Sequence, residues 1–291
     1  MPLFGAHMSI AGGLHNALHD AIDHQCETVQ LFSKNASQWN APDLTQEQIQ
    51  QFRQLLRKSK LRYPTVHDSY LINLASPKTD LYRRSIEAFI DELQRAEQLG
   101  ISYLVTHPGA SIDGNEDAAL KRIAKAIDEA HDACRGFKVQ ILLETTAGQG
   151  TTLGHRFEHL AQICSLVQSP ERLGICLDTC HVFAAGYPLA PEKSYRETMK
   201  LFDRLIGLKW LKLFHINDSK KPFGSRVDRH EQRGEEHLRT EPYRLIVDDY
   251  RFRGKPIILE TPKGTKDEDL DTVNLTFLRN LLERRSVSQA G

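Results

Sequence analysis

The sequence predicts a single (β/α)₈ barrel, in which eight parallel strands alternate with eight helices. Eight short apolar runs recur along the 291 residues, and a helical pattern follows each run. Six of the runs end directly on a residue that can bind a metal, at intervals of 40, 37, 34, 37 and 45 residues. Each interval is about the length of one strand-plus-helix unit, so these side chains are expected together at the C-terminal mouth of the barrel.

The strands are predicted from runs that are apolar throughout, which is typical of strands covered on both faces. The predicted strands are Leu3–Ser9, Thr28–Ser33, Thr65–Ser69, Tyr103–Pro108, Val139–Thr145, Gly174–Cys180, Leu211–Asn217 and Pro256–Thr261. An open, doubly wound sheet is the competing fold. It would gather ligands at one switch point instead of at six strand ends, so the barrel is favoured.

The helices are predicted from periodic segments with start and stop signals, such as Thr45 before one helix, Gly100 after another and Pro191 in a first turn. The predicted helices are Gly13–His24, Thr45–Ser59, Asp80–Leu99, Asn115–Cys134, His155–Val167, Pro191–Ile206, Thr240–Asp249 and Asp267–Arg284. One barrel domain is expected over residues 1–285, followed by a disordered tail at 286–291.

Composition indicates a globular protein in a reducing compartment. The chain is 40% hydrophobic and 26% charged, and no apolar stretch approaches the roughly 18 residues of a membrane span. Five cysteines without a C-x-x-C pair, and an N-terminus without a basic region, favour a cytoplasmic protein with buried thiols. Lys plus Arg equals Asp plus Glu at 38 each, which argues against a DNA-coating protein but not against DNA as a substrate.

The strand-end residues are candidate metal ligands. They are His67, His107, Glu144, Asp178, His215 and Glu260. A lone histidine at a strand end is more often a core residue, but a carboxylate after an apolar run needs a cation or a functional reason, because its unpaired burial is costly. His7 also lies at the mouth end of a strand, where we expect it to support the ligands or to belong to the core.

Two local pairs extend the set. His181 follows Asp178 by three residues, and Asp228 and His230 point to the same side of an extended segment, for which a solvated polar loop is the alternative. Nine nitrogen and oxygen ligands exceed the roughly four of one zinc and suit two or three ions. A ligand set of carboxylates and imidazoles favours Zn²⁺ or Mn²⁺ over Mg²⁺. The pattern therefore predicts metal-assisted hydrolysis of a phosphate ester without identifying the ester.

The strand ends also carry a series of specific motifs. They are Gly5-Ala6-His7, Leu31-Phe32-Ser33-Lys34-Asn35, His67-Asp68-Ser69-Tyr70-Leu71-Ile72-Asn73-Leu74, His107-Pro108-Gly109, Leu143-Glu144-Thr145-Thr146-Ala147-Gly148-Gln149-Gly150, Leu177-Asp178-Thr179-Cys180-His181, His215-Ile216-Asn217-Asp218-Ser219-Lys220, Arg226-Val227-Asp228-Arg229-His230 and Leu259-Glu260-Thr261. Along essentially its whole length the chain resembles the endonuclease IV family of apurinic/apyrimidinic endonucleases (deoxyribonuclease IV).

The resemblance implies a zinc-dependent DNA repair enzyme that cleaves double-stranded DNA on the 5′ side of an abasic site. The expected products are a 3′-hydroxyl and a 5′-deoxyribose phosphate, and blocked 3′ ends are trimmed as well. A monomer with no membrane association is expected. Three zinc ions are implied, with Mn²⁺ as an alternative at part of the sites.

The resemblance also assigns roles to the nine ligands. His67, His107 and Glu144 hold the first zinc; Glu144 bridges to the second, which Asp178, His215 and Glu260 also bind; His181, Asp228 and His230 hold the third. Glu144 and Glu260 are the expected catalytic residues, because they position and polarise the attacking nucleophile.

Contacts to DNA are expected from Asn35, Ser37, Gln38, Tyr70, Arg226 and Arg229. Tyr70 matches a family tyrosine near the lesion, with packing on the barrel rim as the alternative. The family commonly has the loop Lys-Asn-x-Arg-x-Trp, and Ser37 replaces its arginine here, which predicts a weaker grip on DNA. The chain also has Gly234-Glu235-Glu236 where the family usually has Gly-Glu-Gly.

Two other functions stay open at this point. A metal-dependent sugar isomerase or epimerase of the same barrel type needs one or two metals, so His181, Asp228 and His230 would be superfluous. A non-catalytic binder of damaged DNA has no use for nine ligands.

Overall fold

The computed structural model describes residues 1–231, 237–263 and 269–288, with side chains described as far as residue 282. The barrel strands are β1 (Leu3–His7), β2 (Thr28–Phe32), β3 (Thr65–His67), β4 (Tyr103–Thr106), β5 (Gln140–Glu144), β6 (Leu173–Asp178), β7 (Leu211–His215) and β10 (Pro256–Leu259), while β8 (Asp218–Ser219) and β9 (His230–Glu231) form a separate antiparallel hairpin. The barrel strands pair in parallel in chain order, and β10 pairs with β1 to close the barrel. The predicted fold is confirmed.

The helices follow the predicted alternation. They are α1 (Leu14–Asp23), α2 (Gln46–Lys58), α3 (Thr79–Leu99), α4 (Glu116–Ala133), α5 (Phe157–Leu166), α6 (Thr179–Ala184), α7 (Glu192–Leu205), α8 (Glu241–Asp248) and α9 (Leu270–Ser288). Thr45 caps α2 by accepting a hydrogen bond from the Gln48 amide, and Gly100 ends α3 in the left-handed region, at φ 76°.

The C-terminal helix is longer than predicted. Residues 286–288 of the predicted tail lie within α9, and no proline or glycine interrupts the chain between Leu270 and Gly291. Residues 289–291 of the predicted tail lie outside the described residues, and the domain boundary remains a prediction.

The prediction that β6 continues to Cys180 is wrong, because the strand ends at Asp178 and α6 begins at Thr179. The Asp178 carboxylate accepts a hydrogen bond from the His181 backbone amide at 2.7 Å. Such a side-chain cap starts a helix, and one helical turn then places His181 on the same side as Asp178. The switch from strand to helix therefore brings the two together.

A layer of five side chains fills the barrel interior beneath the mouth. They are Val105, Leu142, Cys176, Leu213 and Ile258, all fully buried. Each lies two residues before a candidate ligand, and residues two apart in a strand point to the same side. The ligands that follow are thus directed inward, above a solid apolar layer.

The five cysteines are buried and unpaired, as predicted. Within the described residues, no helix is both long and apolar enough to cross a membrane.

Candidate metal centre

The first cluster of ligands lies where β3, β4 and β5 end. His67 and His107 each direct Nε2 at one oxygen of Glu144, at 3.1 and 3.2 Å from Oε2. The Glu144 side chain is 1% exposed, whereas that of His107 is 34% exposed. Three donors therefore converge where the first metal was predicted, with His107 on the solvent side.

The second cluster lies on the other oxygen of Glu144. His215 places Nδ1 2.9 Å from Glu144 Oε1 and 3.2 Å from Glu260 Oε2. Asp178, predicted with this cluster, neighbours His215 in the β6–β7 register, but its carboxylate lies 3.7 Å from His181 Nδ1 and 3.8 Å from His230 Nε2. Glu144 thus joins the first two clusters, and Asp178 lies between the second and the third.

The third cluster combines α6 with the segment that leads into the β8–β9 hairpin. His181 Nε2 lies 3.1 Å from Asp228 Oδ2 and 3.4 Å from His230 Nε2. Asp228 Oδ1 is 3.4 Å from the same His230 nitrogen. Asp228 and His230 therefore face one point, as expected of positions i and i+2 in an extended segment.

Charge in the centre is arranged to attract cations. Burial opposes ionisation of Glu144, but the surrounding histidines, His215 foremost, hold its pKa well below the ordinary value. The pKa of Glu260 is lowered against burial by His215 in the same way. Burial opposes protonation of His67, but Glu144 raises its pKa to about 10. Protons thus occupy nitrogens that a divalent cation would take, and metal binding would release them.

The donor set fits divalent metal ions. In the part of the chain that the structure describes, no lysine or arginine lies within ion-pair distance of Glu144, Asp178, Asp228 or Glu260; their charged neighbours are histidines. The Nδ1 atoms of His67 and His181 contact the carbonyls of Asp68 and Thr145, at 3.0 and 2.8 Å. Nδ1–H donates there, so Nε2 is the nitrogen of each ring that faces the cluster and would bind a metal ion once its proton is released.

Six of the nine candidate ligands line a cavity of about 390 Å³ that opens at the mouth, namely His67, His107, His181, Asp228, His230 and Glu260. Tyr70 and Phe32 form one wall, with ring centroids 5.5 Å apart, and Arg229 and Lys263 also line the cavity. Tyr70 is 70% exposed, so its ring stands at the entrance with room for a substrate against it. The cavity therefore combines carboxylate and imidazole ligands with an aromatic and basic rim.

Comparison with known proteins identifies the family. The model of the xylose isomerase-like TIM barrel family matches residues 18–281. The probable endonuclease 4 of Chloroflexus aurantiacus is 48% identical over 283 residues, which cover 97% of this chain and 99% of that protein. The crystal structure of endonuclease IV from Thermus thermophilus matches with a TM-score of 0.85 at 33% identity, covering 97% of this chain and 100% of that one.

The chain belongs to the endonuclease IV family. It is therefore a nuclease, and the isomerase and the non-catalytic binder are not supported. A D-tagatose 3-epimerase-like protein matches with a TM-score of 0.74 at 18% identity, which shows a shared fold alone.

The predicted DNA contacts of this endonuclease IV family member lie around the mouth. Asn35, Ser37 and Gln38 are exposed in the β2–α2 loop, where Asn35 Oδ1 accepts a hydrogen bond from the Ser37 amide at 2.9 Å. Arg226 is exposed and contacts the His155 ring through its guanidinium. Arg229 donates to the Asp228 carbonyl. Their contacts to DNA remain predictions, and residues 234–236 lie outside the described residues.

Sequence reasoning missed several residues that hold the endonuclease IV ligands. Asn217 Nδ2 donates to Asp178 Oδ2 at 2.6 Å, and Asn217 Oδ1 accepts from the Glu260 amide at 2.9 Å. Gln30 contacts both His215 and Glu260. A signal was present: Gln30 is a polar residue inside an otherwise apolar strand interior, between Val29 and Leu31.

Proposed function

We propose that this chain hydrolyses the phosphodiester on the 5′ side of an abasic site in duplex DNA. The products are a 3′-hydroxyl and a 5′-deoxyribose phosphate, and the same site trims blocked 3′ ends. A monomer in the cytoplasm is part of this proposal. The observation that carries it is the convergence of four carboxylates and five histidines at the mouth of a barrel from the endonuclease IV family.

The residues would hold three divalent ions, for which zinc is proposed. His67, His107 and Glu144 would bind the first, Glu144 with His215, Glu260 and Asp178 the second, and His181, Asp228 and His230 the third. When bound, such ions polarise the phosphate and stabilise the attacking and leaving oxygens of an in-line displacement. The mixed imidazole and carboxylate donors support zinc or manganese over magnesium.

The chain's own residues then orient the reacting groups. Glu144 contacts both neighbouring clusters, so it fixes the distance between them. Glu260 is the more accessible of the two carboxylates, with a side chain 16% exposed, and it lines the cavity. It is placed to orient a water molecule for attack on phosphorus.

The rim suits a nucleotide turned out of the duplex. Extruding an abasic sugar costs little, because no base pair is lost. The exposed Tyr70 ring offers a flat surface beside the cavity, and the Arg229 side chain in the wall would attract phosphate, whereas Lys263 is paired with Asp271. Ser37 offers no such charge, which agrees with a weaker grip at the β2–α2 loop.

Incision of a duplex with one tetrahydrofuran abasic analogue tests the proposal. We expect zinc-dependent cleavage on the 5′ side, with a 3′-hydroxyl that a polymerase extends, and no cleavage of the undamaged duplex. Glu260→Gln should abolish it. Glu97→Gln is the matched control, because Glu97 accepts backbone hydrogen bonds before β5, at the far end of the barrel. Full incision by Glu260→Gln, or activity on a ketose without incision, would overturn the proposal.

A further inference from the structure

Gln30 is a buried polar residue to which no role has been assigned. It lies on β2, which supplies none of the nine ligands, and it is 0% exposed. Its amide reaches the second cluster: Oε1 lies 2.8 Å from His215 Nε2, and Nε2 donates to Glu260 Oε1. One side chain thus contacts two ligands from two other strands, β7 and the end of β10.

The orientation of the Gln30 amide follows from its partners. An ionised carboxylate only accepts hydrogen bonds, so the NH₂ group must face Glu260. The carbonyl oxygen then faces His215 Nε2, which must carry a proton. His215 Nδ1 is thereby the nitrogen that faces Glu144 and Glu260, and it would bind a metal ion in exchange for its own proton.

His7 holds the same amide from the other side. His7 Nδ1 lies 3.0 Å from Gln30 Nε2 and accepts a hydrogen bond from the second N–H of the Gln30 amide. The His7 ring packs on Phe32 with centroids 4.5 Å apart. His7 therefore fixes the orientation of the Gln30 amide, and the Gln30 amide fixes the orientation of the His215 ring.

Two other ligand histidines, His67 and His181, are oriented by the backbone and not by a side chain. His67 and His181 donate Nδ1–H to the backbone carbonyls of Asp68 and Thr145, and each presents Nε2. His215 presents Nδ1, because the partner of its Nε2 is a side chain. Its orientation therefore depends on a residue that substitution can remove without touching the backbone.

We propose that Gln30 is a positioning residue for the second metal: it fixes the tautomer of His215 and the carboxylate orientation of Glu260. The proposal rests on the proposed function, since it requires that these residues bind a metal. Residues that orient ligands in this way typically alter metal affinity by about 10- to 100-fold when they are replaced.

Stepwise zinc affinity of the metal-free chain, measured against a chromophoric chelator, tests the proposal. Gln30→Met keeps the length of the side chain but removes its donor and acceptor, and we expect one of three zinc equivalents to weaken about 10- to 100-fold. His7→Phe should weaken the same equivalent by less. Gln140→Ala is the matched control, because Gln140 is also a barrel-strand glutamine but bonds the carbonyls of Glu171 and Leu173 at the opposite end.

The outcomes separate the two proposals. A wild-type chain that takes up three zincs, with a Gln30→Met variant that binds all three equally well, would overturn the role of Gln30 alone. A wild-type chain that takes up no zinc would overturn the metal assignment and this proposal with it. Cobalt substitution adds a check against a mere packing role, since Gln30→Met should change the visible absorption of one site and Gln140→Ala should not. If Gln30→Met does not fold, the affinities of His7→Phe decide in the same way.

Discussion

The two parts of the metal centre are built in different ways. The strand-end ligands stand on the apolar layer of the barrel, and the Glu144, Asp178 and His215 side chains are at most 1% exposed. Asp228 and His230 instead come from the segment that leads into the β8–β9 hairpin, and their side chains are 38% and 20% exposed. The barrel thus fixes the first two clusters, whereas the third depends on a surface segment.

The hairpin segment is held by contacts of its own. Ser219 and His230 pair across the hairpin, Phe223 packs on Phe183 with centroids 5.4 Å apart, and the Asp228 amide donates to Gln149 Oε1 at 3.0 Å. These contacts lie near solvent, so this segment should open more readily than the strands. The two parts of the metal centre should therefore respond differently to substitution.

The largest effect is expected at the carboxylate that joins the first two clusters. Glu144→Gln should lower incision by about 10⁴-fold, because several kcal/mol of transition-state stabilisation depend on both adjoining ions. Single-turnover incision of the tetrahydrofuran duplex measures it. A loss of incision of less than tenfold would contradict this expectation, since the two clusters on the barrel strands would then not dominate catalysis.

A smaller loss of incision activity is expected from a substitution in the hairpin segment. Asp228→Ala should lower incision by about 10²-fold, because one of three clusters is weakened while the barrel-borne pair is retained. The thermal midpoint of the metal-free chain should stay unchanged, as Asp228 is partly exposed. An effect as severe as that of Glu144→Gln would mean that the two parts act as one unit.

Substitutions at the rim of the cavity should change DNA affinity and not the rate of the chemical step. Ser37→Arg adds a cation at the exposed β2–α2 loop, so DNA affinity should rise about three- to tenfold at about 0.1 M salt, with a salt dependence steeper by about one phosphate contact. Ser165→Arg, an equal charge change at an exposed position of α5, is the control. Equal dissociation constants for Ser37→Arg and wild type would refute the expected role of this loop.

The stability of the barrel should change independently of the chemistry at the mouth. His131 of α4 is buried, and neither ring nitrogen has a hydrogen-bond partner among the described residues. Burial, with Arg172 nearby, lowers its pKa to about 4. As pH falls below about 6.5, the unfolded chain binds this proton first, so His131 destabilises the fold progressively between pH 6.5 and 4.

As the pH falls from 6.5 to 4, the free energy of unfolding of His131→Leu should therefore decrease by about 1 to 2 kcal/mol less than that of wild type. Urea unfolding of the metal-free chain at several pH values measures the loss. His19→Leu, at an exposed position of α1, is the control. Parallel pH profiles for His131→Leu and wild type would contradict the expectation.

The sequence predicts features that depend on neighbouring residues better than features that depend on contacts between distant residues. The strand-end residues, such as His107 and Glu144, were predictable because an apolar strand and its last residue are adjacent in the chain. The α6 helix was missed because its start depends on the Asp178 cap, and the apolar run continues past it. Gln30 was missed because its partners, His215 and Glu260, are 185 and 230 residues away.

The number of zinc ions per chain distinguishes a centre with two sites on the barrel strands and one on the hairpin segment from a smaller one. Wild type and Asp228→Ala would be purified with zinc, dialysed together and measured by mass spectrometry. We expect about three zincs in wild type and about two in Asp228→Ala, with the fold unchanged. One zinc in wild type, or equal zinc content in the two chains, would contradict it.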